Sequence, residues 1–149
     1  MAVASFKECV AERFAGAIAT YDSHAEEQRL GAAVLAGWLA EHRDDLVAGP
    51  VLEIGCGTGL LSVELASLMS GRSLTLSDLA PAMVGHCRRK IDLMGRAHPD
   101  IQYEVLDGEQ LTRQGVYALI CANFAVHWFV DMDAGLSRLL QALKPGGYL

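Results

Sequence analysis

Long apolar runs and an excess of basic residues are both missing from this sequence of 149 residues. No stretch approaches the roughly 18 apolar residues that a membrane-spanning helix requires, and the N-terminus lacks the apolar centre of a secretion signal. Lysine and arginine together number 12 against 18 for aspartate and glutamate, and the net charge is −6. So acidic a chain is not expected to bind nucleic acid or an anionic membrane unaided. We therefore expect a cytoplasmic protein without a nucleic-acid or membrane partner.

Cysteine is also scarce, and the four cysteines are scattered along the chain as Cys9, Cys56, Cys87 and Cys121. They form no C-x-x-C pair, and the five histidines do not cluster with them. This pattern predicts reduced thiols, with neither a disulfide framework nor a metal site. What the chain does have is 52% hydrophobic residues, enough to bury the core of a single domain.

The first part of the chain carries the patterns of two helices. Residues 2–19 place apolar side chains at four-residue spacing, on one face of a helix: Phe6, Val10, Phe14 and Ile18. A second helix, running to about residue 45, would be capped by Asp22 or Ser23. Its buried face would consist of Leu30, Val34, Trp38 and Leu39.

Gly49-Pro50 ends this helical section and divides the chain into two parts. We predict an N-terminal helical cap over residues 1–48 and an α/β core over residues 49–149. The cap either packs against the core as structure alone or forms a lid, in which Tyr21 and His24 reach over a ligand.

Strand-like and helix-like patterns alternate after residue 50. The predicted strands are 51–54, 73–77, 101–106 and 117–122, with a fifth beginning at residue 148, and the predicted helices are 58–69, 81–96 and 133–143. This alternation predicts a Rossmann-like, doubly wound, mostly parallel sheet of the α/β class. In such a sheet the ligand binds outside the carboxyl ends of the strands.

A glycine-rich stretch, Val51-Leu-Glu-Ile-Gly-Cys-Gly-Thr-Gly59, joins the first predicted strand to the next helix. Glycines at alternate positions suit a turn of unusual backbone conformation, where a ligand approaches bare backbone. A dinucleotide fingerprint would read G-x-G-x-x-G, but here the third glycine comes one residue early and Leu60 stands in the last position. That spacing, with no hydride-transfer site in the sequence, disfavours an NAD-type oxidoreductase.

Polar residues end the predicted strands: Glu53, Asp78, Asp107 and Asn123. Three carboxylates in one crevice disfavour a ligand with phosphates. They suit S-adenosyl-L-methionine, which has a sulfonium, an ammonium, a ribose diol and an adenine amine. Asp78 lies about 20 residues after the turn, where a ribose-binding carboxylate is expected. Purely structural interpretations of these residues remain open. Asp78 would cap the next helix, and Asp107 would be an ordinary turn residue. Glu53 would hold the loop, and Cys56 would be a small buried residue.

These stretches resemble, in order and spacing, the motif set of class I S-adenosylmethionine-dependent methyltransferases over residues 50–149. The stretches are Glu53-Ile-Gly-Cys-Gly-Thr-Gly, Asp78-Leu-Ala-Pro-Ala-Met83, Asp107-Gly-Glu, Asn123-Phe-Ala-Val-His-Trp128 and Leu143-Lys-Pro-Gly-Gly147. The resemblance implies S-adenosyl-L-methionine as cofactor, S-adenosyl-L-homocysteine as its product, and a set of cofactor-binding residues: Tyr21, Glu53, Gly55, Cys56, Gly57, Asp78, Leu79, Met83, Asp107, Gly108 and Asn123.

The resemblance also implies a role for most of these residues. It places Glu53, Gly55 and Gly57 at the methionine end of the cofactor and Asp78 at the ribose. It further implies that Asp107 and Gly108 flank the adenine, that Asn123 lies beside the path of the methyl group, and that Tyr21 belongs to the lid.

Residues 19–25 with Gln28, and the Asn-x-Ala-Val-x-Trp run at 123–128, resemble the malonyl-acyl-carrier-protein O-methyltransferases of biotin synthesis. This narrower resemblance implies a small or carrier-bound carboxylate as the methyl acceptor. Because a carboxylate is already ionised near neutral pH, it needs no general base, and no catalytic residue is predicted. His127 is the candidate base for an alcohol or phenol acceptor.

The family fold continues beyond the Lys-Pro-Gly-Gly motif with further strands, so we expect a truncated domain that lacks the last strands of the sheet. An unpartnered edge on the predicted fourth strand would then favour self-association, for example as a homodimer. Two functions compete. One is an O-methyltransferase; the other is a cofactor-binding or structural remnant without turnover.

Overall fold

Five parallel strands form one sheet in the computed structural model, which describes residues 2–149 and the side chains of residues 6–18 and 20–149. They are β1 (Val51–Ile54), β2 (Leu74–Asp78), β3 (Ile101–Val105), β4 (Tyr117–Ala122) and β5 (Leu143–Tyr148). Their order across the sheet is β3-β2-β1-β4-β5, so the winding reverses between β1 and β4. The predicted doubly wound α/β fold is confirmed.

The helices of the described residues are α1 (Ala2–Tyr21), α2 (Glu26–His42), α3 (Ser62–Leu68), α4 (Pro81–Leu93) and α5 (Met132–Ala142). Short 3-10 helices occur at Arg43–Asp45, Gly108–Gln110 and Val126–Trp128. The helix predicted from residue 58 begins only at residue 62, because the glycine-rich turn extends that far. None of the helices described has the length and apolarity that crossing a membrane demands.

Apolar layers cover both faces of the sheet. Because successive strand residues point to opposite faces, Val51 packs with α2, α3 and α4, whereas Leu52 packs with α5. Large side chains of both layers are fully buried, among them Leu39, Leu65, Ile91 and Leu139. These two layers hold the strands in place and therefore position the residues that follow each strand.

The start and the buried face of α2 both differ from the prediction. No side chain caps this helix at Ala25, and Asp22 instead contacts the core. Leu30, Val34 and Trp38 are exposed, and the buried face consists of Ala32, Ala36 and Leu39. The small alanines let α2 pack closely beside α3, and close packing outweighs the burial of larger side chains on the opposite face.

The predicted open edge on β4 is wrong, because β5 pairs with β4 along that edge. Tyr117 pairs with Leu143 and Leu119 pairs with Tyr148, with an irregular register between these positions. The Lys-Pro-Gly-Gly motif at 144–147 therefore lies inside β5 and does not precede it. An irregular strand of this kind accommodates a proline at the edge of a sheet. Self-association stays a prediction, without an exposed β4 edge as its cause.

Candidate cofactor pocket

A cavity opens at the carboxyl ends of the strands and encloses about 730 Å³, part of it open to solvent. One side, the strand-end wall, consists of residues that end or follow β1 to β4: Gly55, Gly57, Asp78, Leu79, Asp107, Gly108 and Asn123. The facing side, the α1 wall, consists of Lys7, Val10, Ala11, Phe14 and Tyr21. Met83 of α4 also lines the cavity. Of the predicted cofactor-binding residues, only Glu53 and Cys56 do not line it.

Two glycines of the turn explain why this part of the strand-end wall is bare backbone. Gly55 has a φ of +71°, and a Cβ atom there would lie 2.4 Å from the Cβ of Ala125, so no larger residue fits. Gly57 has a φ of +52°, and a Cβ atom there would meet nothing within 4 Å. Gly55 therefore allows close packing of two loops, whereas Gly57 leaves free space on the cavity side.

Asp78 ends β2 and faces the cavity while it also holds the turn. Its Oδ2 accepts a hydrogen bond from the N–H of Gly57 at 2.9 Å, and its Oδ1 accepts one from the N–H of Ala80 at 2.8 Å. Burial raises the pKa of Asp78, although these N–H groups favour its charged form. Because each carboxylate oxygen has two lone pairs, both oxygens retain capacity to accept from a ligand. Holding the loop and binding a ligand are therefore compatible roles.

Glu53 and Cys56 lie beneath the turn. The Glu53 side chain is 1% exposed and accepts a hydrogen bond from Ser62 Oγ at 2.6 Å. Burial raises the pKa of Glu53 to about 8, and the neighbouring Cys87 and Asp78 add to the rise. Contact with Cys87 and burial both raise the pKa of the Cys56 thiol, as suits an inert buried residue. A direct role for Glu53 at the cofactor stays a prediction; its observed contact supports the turn.

Asp107 meets a partner that the sequence did not suggest. Lys7 Nζ of α1 lies 2.5 Å from Asp107 Oδ2 and 2.6 Å from Glu109 Oε2. Burial opposes the charge of Lys7, but the two carboxylates outweigh burial and raise its pKa. The Glu109 carboxylate also accepts hydrogen bonds from the backbone N–H groups of Val130 and Asp131. Lys7 lies three residues before Val10 and seven before Phe14. The helical period therefore places Lys7 on the same face of α1 as these two residues.

Two stretches singled out in the sequence meet at the end of β4. The side-chain amide of Asn123 donates to the main-chain oxygen of Gln28 at 2.9 Å. Phe124 follows with a φ of +55°, which is uncommon for a residue other than glycine. Its ring packs against Gly31, where a Cβ atom would lie 2.9 Å away. The loop after β4 is thus held against α2 in an unusual conformation.

Aromatic rings connect the α1 wall to the far side of the cavity. Phe14 contacts Tyr21 with ring centroids 6.0 Å apart and Trp128 with centroids 5.5 Å apart, both edge to face. Burial raises the pKa of Tyr21, and the charges of Asp78 and Asp22 add to the rise. His24 and His127 are exposed and do not line the cavity. Trp128 was quoted in a sequence motif, but no signal in the sequence assigned it to the pocket.

Comparison with known proteins decides the family. The profile of the family described as "Methyltransferase domain" matches residues 51–147. The chain belongs to this family. The matched segment runs from the start of β1 into β5 and supplies the whole strand-end wall of this methyltransferase domain, whereas the α1 wall precedes it.

Curated relatives of the methyltransferase domain are longer than this chain. The biotin biosynthesis bifunctional protein BioCD of Bordetella avium is 44% identical over 142 residues, which cover 94% of this chain and 29% of that protein. The malonyl-[acyl-carrier protein] O-methyltransferase of Magnetococcus marinus is 37% identical over 100 residues, covering 66% of this chain and 36% of that protein. The chain thus spans about a third of the length of these two relatives.

A solved structure shares the fold of the methyltransferase domain. The magnesium protoporphyrin IX methyltransferase of Synechocystis, determined with bound S-adenosyl-L-methionine, superimposes with a TM-score of 0.59 at 22% identity. The match covers 77% of this chain and 54% of that one. The likeness shows that the two chains share a fold.

Proposed function

We propose that the cavity binds S-adenosyl-L-methionine and that the protein transfers its methyl group to a carboxylate oxygen of a malonyl group on a carrier. The observation that carries the proposal is the Asp78 carboxylate, which faces the cavity beside the free space at Gly57. Asp78 would accept the ribose hydroxyls, as expected of a carboxylate at the end of the second strand.

The charges around the cavity support this class of cofactor over a nucleotide with phosphates. Among the described side chains that line the cavity, Lys7 is the only basic one, and two carboxylates engage it. A pyrophosphate would meet Asp78 and Asp107 without a free cation to balance it. A sulfonium, an ammonium and an adenine amine all favour the same carboxylates.

Residues of this chain account for binding and for the exclusion of water. When bound, the cofactor supplies a methyl group activated by a positively charged sulfur. Tyr21, Phe14 and Trp128 cover the cavity with aromatic surface, which excludes water from a charged acceptor. Asn123 holds the loop after β4 in place through its bond to α2. Alignment of the acceptor would then supply the remaining rate enhancement.

No histidine lines the described part of the cavity, which is compatible with an acceptor that needs no general base. A malonyl carboxylate is ionised at neutral pH and attacks without a general base. Its thioester end would connect it to the carrier. The Magnetococcus marinus relative is named for methylation of a malonyl acyl-carrier protein, and the Bordetella avium relative for biotin biosynthesis. These names support the choice of acceptor for the whole protein.

Titration calorimetry with S-adenosyl-L-homocysteine tests the cofactor site. We expect saturable binding to the wild-type chain and at least tenfold weaker binding to Asp78→Asn, because the variant loses the carboxylate charge. Asparagine is chosen because its side chain has nearly the same size as that of aspartate. Asp44→Asn is the matched control, since that side chain is 96% exposed on a distant 3-10 helix. Equal affinity of Asp78→Asn and wild type would contradict the assignment of Asp78.

A second assay tests the acceptor. The protein is incubated with S-adenosyl-L-methionine and a malonyl thioester of a carrier protein, and the methyl ester is detected by mass spectrometry. The matched control is the acetyl thioester of the same carrier, which has no free carboxylate. Methylation of both carriers would contradict a carboxylate acceptor, and methylation of neither would contradict turnover by this chain; both outcomes leave the cofactor site intact.

A further inference from the structure

Asp22 makes contacts that join three separate parts of the fold. Its Oδ1 accepts a hydrogen bond from Thr58 Oγ1 at 2.5 Å, and its Oδ2 accepts one from Lys90 Nζ at 2.6 Å. Its main-chain oxygen accepts from the guanidinium of Arg29 on α2. One residue in the link between α1 and α2 is thus bound to the glycine-rich turn, to α4 and to α2.

Residues adjacent to Asp22 and to Thr58 line the cavity, although Asp22 itself does not. Tyr21, the preceding residue, is part of the α1 wall. Thr58 is only 1% exposed, and it follows Gly57. The N–H of Gly57 donates to Asp78. Asp22 therefore fixes the separation between the last residue of the α1 wall and the turn on the strand-end wall.

The charge balance at Asp22 favours its contacts with Lys90 and Thr58. Partial burial opposes its ionised form, but the hydrogen bonds from Lys90 and Thr58 outweigh burial and lower the pKa of Asp22. Such charge-assisted bonds are short and geometrically defined. A carboxylate held in this way keeps the end of α1 in one position before any ligand arrives.

We propose that Asp22, anchored by Thr58 and Lys90, is a positioning residue for cofactor binding and acts through Tyr21. The assignment rests on the proposed function, since it concerns the same cavity. Holding Tyr21 in place lowers the entropy lost when the cavity closes on a ligand. Removal of the contact leaves every lining side chain present but the α1 wall loosely placed.

The test is the affinity for S-adenosyl-L-homocysteine of Asp22→Ala and Asp22→Asn. We expect Asp22→Ala to bind about tenfold more weakly than wild type, because ordering of the α1 wall then opposes binding. Asp22→Asn keeps an oxygen that can accept from Thr58 and loses only the ion pair with Lys90. Its affinity should therefore fall less than that of Asp22→Ala. Asp44→Ala, on the exposed 3-10 helix, serves as control and keeps wild-type affinity.

A double-mutant cycle separates positioning from general stability. If Asp22 acts through Tyr21, the loss caused by Asp22→Ala falls below about twofold in a Tyr21→Ala background, because the residue it positions is gone. Melting of each variant shows that the folded state is retained. Additive losses across the cycle, or an undiminished affinity in Asp22→Ala, overturn this assignment alone. No binding to the wild-type chain overturns the proposed function and this assignment with it.

Discussion

The two walls of the cavity are built by different means. The strand-end wall includes backbone and short side chains at the carboxyl ends of the strands, with Gly55 closely packed and Asp78 held by two N–H groups. The α1 wall is one helix, joined to the core at its two ends by Lys7 and Asp22. One wall is therefore shaped by close packing of backbone, whereas the other is attached by a few charges together with the contact between Phe14 and Trp128.

The largest expected effect comes from breaking the packed wall at Gly55. Gly55→Val places a branched side chain at a φ of +71° and against Ala125, and we expect the free energy of unfolding to fall by about 4 kcal/mol. The matched control on the other wall is Gly16→Ala, where a Cβ atom meets nothing within 4 Å. That helical position should gain up to about 1 kcal/mol. Urea unfolding of both variants measures the contrast, and a stable Gly55→Val would contradict it.

The next effect concerns the buried acid beneath the packed wall. The pKa of Glu53 is about 8 in the folded chain and near 4.5 when exposed, so folding favours the protonated form. The wild-type chain should therefore lose stability as pH rises from 4.5 towards 8. Glu53→Gln keeps an acceptor for Ser62 and removes this loss.

Urea unfolding at pH 5 and pH 8 tests this prediction. We expect the difference in unfolding free energy between wild type and Glu53→Gln to change by about 3 kcal/mol over this range, in favour of the variant at pH 8. Groups other than Glu53 cancel in that difference. Parallel pH profiles for the two proteins would show that Glu53 does not titrate in this window.

The smallest effect is expected at the charged attachment of the α1 wall. Lys7→Met removes the cation shared by Asp107 and buried Glu109, and should lower the free energy of unfolding by about 1 to 2 kcal/mol at pH 7. Because the pKa of Lys7 is raised, this contribution is present below pH 10.5 and is lost as pH rises through the folded value.

Arg43→Met is the matched control, since its pair with Asp44 is exposed and 3.9 Å long. It should change stability by less than about 0.5 kcal/mol. Equal effects of the Lys7 and Arg43 variants would mean that α1 is held by apolar packing alone, and the contrast between the two walls would lose its basis.

The sequence predicted the packed wall better than the charged one. Alternating strands and a glycine-rich turn are local patterns, and they located Gly55, Gly57, Asp78 and Asn123 at one end of the sheet. Lys7 was missed because its partners lie 100 residues away, and no local pattern reports them.

Two elements of the fold were also mispredicted for physical reasons. The face of α2 was misjudged because large apolar residues and small alanines follow the same helical period, and packing density selected the alanines. The extent of β5 was misjudged because a Pro-Gly-Gly sequence usually interrupts structure, whereas pairing with β4 overrides that local preference.

The distance in sequence between Lys7 and Asp107 has a consequence for the order in which the cavity is made. During synthesis α1 emerges from the ribosome before its carboxylate partner Asp107, which follows Lys7 by 100 residues. Until then Lys7 lacks its carboxylate partners, and Phe14 also lacks the ring of Trp128. A helix that is translated before the strands therefore completes the pocket only after they have formed, and delay at this step leaves its aromatic face available to other contacts.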